Sequence, residues 1–161
     1  MPPVEKLSQV LWRERELLDA LLYKLEVEQL VMATGRTRWL LRAAQDVQRL
    51  IDVLKETEML RAVVSDEVAA SLGVPANPSL QALIDAAPEP WASILSDHRD
   101  AFLRITADLT ATADANRELI TAGIRSARET LLNLTEGTDG YSADGSAVTG
   151  LTRTPLLDQS L

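Results

Sequence analysis

The sequence has no cysteine, one histidine and few aromatic residues. Without cysteine, disulfide bonds, thiolate metal ligands and a cysteine nucleophile are excluded. Aromatic residues make up only 4% of the 161 residues while leucine and alanine are abundant, a composition that favours an all-helical protein. A chain of this length is expected to form one domain with its own hydrophobic core.

Long apolar runs are also missing. No segment approaches the roughly 20 consecutive apolar residues that a membrane-spanning helix needs. The amino-terminal residues lack the basic region and the apolar run of a secretory signal. We therefore expect a cytoplasmic protein with no stable membrane insertion.

The charge is predominantly negative, with 24 acidic and 16 basic side chains and a net charge of −8. Such a field repels nucleic acid and anionic membrane surfaces. Residues 66–85 have the rhythm of a DNA-reading helix-turn-helix, but its second helix, near residues 79–87, has no basic side chain to contact bases or phosphates. The sequence therefore predicts a protein that does not bind nucleic acid.

Leucine spacing predicts a long helical hairpin at the amino-terminal end. Apolar residues recur at three- and four-residue steps from about residue 4 to residue 33, and Thr34 with Gly35 marks a helix end. A second helical pattern covers residues 37–72 and ends at Gly73. Because the connection TGR is short, we expect the two helices to pack antiparallel.

Prolines indicate where several of the helices begin and end. Pro2 and Pro3 are expected to precede the first helix. Residues 74–90 contain four of the seven prolines, and within them Ser79 can cap a short linker helix. A third long helix is predicted from Trp91 to about Leu134.

The predicted fold class is therefore all-α: an antiparallel bundle of three long helices, made of a helical hairpin and a long third helix, with a short linker helix. We expect residues 1–136 to form this helical domain. Residues 137–161 have no sustained period and many small or turn-forming residues, which predicts a flexible, disordered carboxy-terminal tail.

The third helix changes character along its length. Its first half has an apolar seam at near-heptad spacing, formed by Leu95, Phe102, Ile105 and Leu109. Continued forward, the same spacing gives Thr112, Asn116, Leu119, Gly123 and Thr130, so apolar content is lost. A seam of this kind indicates a surface that a partner helix can approach closely.

No motif for catalysis or cofactor binding is present. His98 has no second histidine or Glu-x-x-His pairing to form a metal site, so the sequence favours a structural, interfacial histidine. Gly35, Gly73 and Gly123 are isolated and do not form a phosphate-binding loop. The prediction is a protein that is not an enzyme and needs neither metal nor other cofactor.

The order and lengths of these elements resemble those of the FlgN-type flagellar export chaperones, over about residues 7–145. The features that carry the resemblance are the first-helix segment LLDALLYKLEVEQLVM, a second helix closing on LG, the linker segment SLQALIDAAPEPW, the N-x-x-L-I element at Asn116, Leu119 and Ile120, and the Y-x-x-x-G element at Tyr141 and Gly145. The resemblance implies a bacterial cytosolic chaperone for hook-filament junction proteins before their export.

The resemblance also implies two binding sites. Its cargo site, for the carboxy-terminal helical segment of a junction protein, falls on the end of the third helix: Asn116, Leu119, Ile120, Gly123, Ile124, Ala127, Leu131 and Leu134. Its docking element for the cytoplasmic domain of the type III export gate falls on Tyr141 and Gly145. A tyrosine on a tether offers both an apolar ring and a hydroxyl to a pocket.

Three other interpretations remain open from the residues themselves. The end of the third helix could instead pack on the first two helices. It could also be completed by a second copy, giving a weak homo-oligomer or a self-assembling coiled-coil adaptor. An enzyme is the most remote of the alternatives.

Overall fold

A computed structural model of the chain describes residues 1–136, and these residues are helical except for short connections. The helices are α1, Pro3–Ala33; α2, Leu40–Leu72; α3, Leu80–Ala86; and α4, Trp91–Thr135. A short 3₁₀ turn, Thr37–Trp39, precedes α2. The predicted all-α fold, with a helical hairpin, a linker helix and a long last helix, is confirmed. The predicted tail, residues 137–161, lies outside the described residues.

The helix ends agree with the chemistry of their boundary residues. Gly73 takes a φ of 70°, a left-handed conformation that ends α2, and the Val74 N–H then donates to the Ala69 carbonyl at 2.9 Å. The Ser79 hydroxyl caps α3 by accepting the Ala82 N–H at 3.1 Å.

One predicted boundary is wrong. Pro3 is expected from the sequence to lie before the first helix, but α1 begins at Pro3 itself. Proline is tolerated there because the first N–H groups of a helix have no partner within the helix, so the lack of an N–H group in proline removes no hydrogen bond.

The central element of the bundle is α1, which packs against α2 on one side and α4 on another. Ion pairs join Lys6 to Glu67 and Lys24 to Asp46, so α1 and α2 run antiparallel. The pairing of Ser8 with His98, and of the Leu25 carbonyl with Asn116, shows that α4 runs parallel to α1. The three long helices therefore run up, down and up.

The core is aliphatic and lies on both sides of α1. Its fully buried members come from every helix and include Leu7, Leu11, Leu18, Val64, Val68, Leu83, Leu95 and Phe102. Burying a leucine or valine side chain stabilises the fold by roughly 1.5–3 kcal/mol. Within the described residues, α2 and α4 make no close backbone contact with each other, so α1 holds both in place.

Candidate functional site

The face of α4 that packs on α1 continues beyond the point where α1 ends. In the first part of the helix this face is buried, through Leu95, His98, Phe102, Leu109 and Asn116. The same three- and four-residue spacing then continues through Ile120, Ile124, Ala127, Leu131 and Leu134. We call this second set the apolar stripe.

The end of α1 determines where the stripe becomes exposed. Leu25 on α1 lies opposite Asn116 on α4, and extending this register along both helices places Ala33, the last residue of α1, level with Ile124. Residues 125–135 then continue for about 16 Å beyond α1. All residues from 121 to 134 are exposed in the described structure.

The predicted cargo-site residues fall into three groups. Leu119 and Ile120 are half-buried, because they lie beside the last turns of α1. Gly123, Ile124, Ala127, Leu131 and Leu134 are exposed. The exposed fractions are 39% for Ile124, 53% for Leu131 and 69% for Leu134, values that are high for large apolar side chains.

Asn116 differs from the rest of the predicted set. Only 2% of it is exposed, and its side-chain amide donates to the Leu25 carbonyl at 2.9 Å and to the Glu28 carboxylate at 3.2 Å. It is therefore part of the α1–α4 interface and cannot offer its side chain to a partner in this structure. Burial raises the pKa of Glu28, and the hydrogen bond from Asn116 opposes that increase.

The two edges of the stripe differ in charge, a feature that was not predicted from the sequence. Arg117 and Arg128 follow one edge: Arg117 is three residues before Ile120, and Arg128 is four residues after Ile124 and three before Leu131. Gly123, Ser126 and Thr130 lie toward the other edge and carry no charge. A helical projection of residues 116–134 would have revealed this asymmetry from the sequence.

The surface beside Gly123 is open. A Cβ atom added at Gly123 would have no other atom within 4 Å, apart from its own chain neighbours and local helix backbone. The expected room for a close helix approach is therefore available on this edge of α4. The predicted docking residues, Tyr141 and Gly145, lie outside the described residues.

A buried histidine fixes α4 against α1. His98 is 1% exposed; its Nδ1 lies 3.3 Å from the Arg15 guanidinium and its Nε2 lies 3.1 Å from the Ser8 hydroxyl. Because a guanidinium can only donate, Nδ1 accepts and the proton is on Nε2. Burial and the Arg15 charge lower the pKa of His98 to about 4, while Asp97 opposes this shift. The ring is therefore neutral at pH 7, with a structural role.

A buried ion pair fixes α2 against α1. Arg61 donates to both carboxylate oxygens of Glu14 at 3.1 Å, and the Arg61 guanidinium also lies over the Phe102 ring of α4 at 5.3 Å. Burial raises the pKa of Glu14 and Arg61 opposes that increase. These polar contacts fix the positions of the three long helices, and hence the length of α4 that α1 covers.

Neither a metal cluster nor a membrane span is found in the part of the chain that the structure describes. Among residues 1–136 no three or more potential metal ligands lie together. No helix within the same range is both long and apolar enough to cross a membrane.

The fold and the stripe together define a class of protein: an all-α bundle in which the longest helix presents an apolar face beyond the other helices. In a comparison with protein families, FlgN, described as FlgN protein, matches residues 1–149. The chain therefore belongs to the FlgN family, which implies a general role as a flagellar export chaperone. No curated protein and no solved structure matches the chain.

Proposed function

We propose that this protein is a cytosolic chaperone that binds the carboxy-terminal helical segment of a hook-filament junction protein on α4. The proposed contacts are Leu119, Ile120, Gly123, Ile124, Ala127, Leu131 and Leu134. Asn116, which was expected among them, is left out because its side chain is buried against α1. The single observation that carries the proposal is that the core face of α4 extends past α1 and is exposed there.

Helix-in-groove recognition supplies a physical basis for this binding. An amphipathic cargo helix can place its apolar anchors on residues spaced by three and four along α4. Burial of each of the side chains Ile124, Leu131 and Leu134 would stabilise the complex by roughly 1.5–3 kcal/mol, before the costs of association are subtracted. The same contact would cover an apolar strip of the cargo that otherwise promotes self-association.

We further propose that Tyr141 and Gly145 dock the loaded chaperone on the cytoplasmic domain of the export gate. The support is the resemblance stated from the sequence, together with the family match, which extends to residue 149 and includes both positions. Cargo release would then require a gate surface that competes for the chaperone or the cargo segment. The expected step uses neither a cofactor nor a covalent reaction.

The cargo site can be tested by titration calorimetry with synthetic carboxy-terminal segments of hook-filament junction proteins. Ile124→Asp and Leu131→Asp each put a charge into the proposed contact, and we expect either to weaken binding at least about tenfold. Leu132→Asp is the matched control, since Leu132 is 58% exposed on the same helix turn but lies off the stripe. Equal binding by all three variants would refute the proposed site.

The docking residue needs a separate measurement. Tyr141→Ala should leave binding of the cargo segment unchanged and weaken binding of the loaded chaperone to the purified cytoplasmic domain of the gate. Unchanged gate binding, with cargo binding intact, would refute the docking proposal while leaving the cargo site standing.

A further inference from the structure

We infer that the stripe is built for one kind of occupant: an amphipathic helix with acidic side chains along one edge of its apolar face, lying as an end-to-end continuation of α1. The inference rests on the proposed function, because it concerns the same surface. It adds the charge and the position of the bound helix, which the family membership does not supply.

The position follows from the continuity of the α4 face. α1 buries this face fully as far as Asn116, where Glu28 and Leu25 are its contacts, and leaves Ile120 half-buried. From Ile124 onward the same face continues at the same spacing and is exposed. A helix that buries this face must therefore lie where α1 would have continued, with one of its ends near Thr34 and Gly35.

The charge follows from the asymmetry of the two edges. Although the chain carries a net charge of −8, one edge of the stripe has Arg117 and Arg128. Arg117 is paired with Asp114 of its own helix, at 3.3 Å, and both side chains are more than 40% exposed. Exposed pairs of this kind contribute little, so Arg117 can exchange Asp114 for a carboxylate of a partner. An acidic edge on the bound helix would complement these two arginines and fix its rotation about its own axis.

A second copy of this chain fits the surface poorly. If two α4 helices ran parallel with their stripes together, the partner α4 would have to occupy the space that α1 fills, because α4 is one continuous helix. If they ran antiparallel, two-fold symmetry would bring the same edge of each helix together, so that Arg117 and Arg128 of one copy would face the same pair of arginines in the other. Like charges that face each other disfavour pairing.

The charge preference can be measured with two designed peptides of about 18 residues, long enough as helices to cover the stripe. Both carry the same leucine stripe; one has glutamate along one edge and the other has lysine at those positions. At low salt we expect the glutamate peptide to bind the full chain about tenfold more tightly, and the advantage to shrink as salt is added.

Matched variants assign the preference to the proposed edge. The double variant R117Q/R128Q should lose the discrimination between the two peptides. The control R13Q/R49Q removes the same number of positive charges from exposed positions of α1 and α2, away from the stripe, and should keep it. Equal affinity for both peptides, or discrimination that survives in R117Q/R128Q, would overturn the acidic-edge inference.

The position can be measured by spin-label distances, because the natural chain has no cysteine. A label at Thr34→Cys should lie within about 20 Å of one end of the bound glutamate peptide, whereas a label at Ser71→Cys should lie farther away by about the length of α1, roughly 45 Å. Similar distances from both labels would overturn the end-to-end placement.

Failure of this inference and failure of the proposed function give different results. If the junction segment binds and Ile124→Asp abolishes that binding, but the two designed peptides bind equally, the cargo site stands and the acidic edge is wrong. If the glutamate peptide binds selectively and no junction segment binds, the surface inference stands and the proposed cargo is wrong. A stable dimer that Ile124→Asp dissociates would overturn the choice of a partner helix as occupant.

Discussion

The side-chain amide of Asn116 on α4 donates a hydrogen bond to the backbone carbonyl of Leu25 on α1 at 2.9 Å. This contact forms the last buried layer between the two helices, and the apolar stripe, half-buried at Ile120, is exposed from Ile124 onward. The amide also donates to Glu28, a carboxylate that is only 3% exposed. Asn116 therefore joins two features: it satisfies a buried acid, and it marks where α4 becomes available to a partner.

The first prediction concerns this layer. Asn116→Ala should lower the free energy of unfolding by about 1–3 kcal/mol, since Glu28 loses a buried hydrogen-bond donor. Asn116→Asp should cost more at pH 7, about 2–4 kcal/mol, because it places a second carboxylate beside Glu28. Urea unfolding at pH 7 measures both. An aspartate variant as stable as the alanine variant would contradict the described contact.

The second prediction concerns the ion pair between Glu14 and Arg61. Arg61→Met alone should lower the free energy of unfolding by about 3–5 kcal/mol, because it leaves a fully buried carboxylate without its partner. The double variant Glu14→Leu/Arg61→Met should recover most of that loss, since no buried charge of the pair remains. Chemical denaturation of the two variants measures both changes in the free energy of unfolding. If the double variant were less stable than Arg61→Met, the pair would have another role.

The third prediction concerns pH and His98. Its folded-state pKa of about 4 is below the usual value, so protons bind more readily to the unfolded chain. His98 therefore stabilises the fold fully above about pH 6.5, and this contribution falls as pH decreases toward 4. Burial raises the pKa values of Glu14, Glu28 and Glu58, and these carboxyls act in the opposite direction as they take up protons.

A variant separates the histidine from the carboxyls. His98→Gln should be less stable than the parent at pH 7 by about 1–3 kcal/mol, because the packing and hydrogen bonds around the ring are disturbed. The difference in unfolding free energy between parent and variant should narrow as the pH is lowered from about 6.5 to about 4.5. A difference that stays constant over that range would contradict the depressed pKa.

The fourth prediction concerns Gly123. Gly123→Ala should raise the free energy of unfolding by about 0.5–1 kcal/mol, because glycine is a poor helix former and the new methyl group meets no other atom within 4 Å. Gly123→Leu should fold equally well but bind the junction segment about tenfold more weakly, if the partner helix approaches this edge closely. Normal affinity of the leucine variant would place the partner on the other side of the stripe.

Helix boundaries were the most predictable part of the fold. Gly35, Gly73 and the prolines of residues 74–90 constrain the backbone locally, so their effects can be inferred without knowing tertiary contacts. The error at Pro3 arose because a proline within the first turn and one before the helix have similar local costs. The fold class followed from the same local signals together with the leucine spacing.

The candidate site was only partly predictable. The loss of apolar seam residues after Leu109 could be seen in the sequence, but the burial of Asn116 depends on Glu28 and Leu25, which are about 90 positions away in the chain. The register between α1 and α4 is set by such distant contacts, so the point at which the stripe becomes exposed required the structure. Nothing in the leucine spacing distinguishes a face covered by α1 from one that extends past it.

The most direct test of the account is amide hydrogen exchange of the full chain with and without the carboxy-terminal segment of a hook-filament junction protein. We predict that the bound segment slows exchange in residues 119–135, which include the part of α4 that extends past α1, and that exchange in the middle of α2 is unchanged. Protection confined to α2, or to no part of α4 beyond Asn116, would contradict the claim that the cargo covers the exposed stripe.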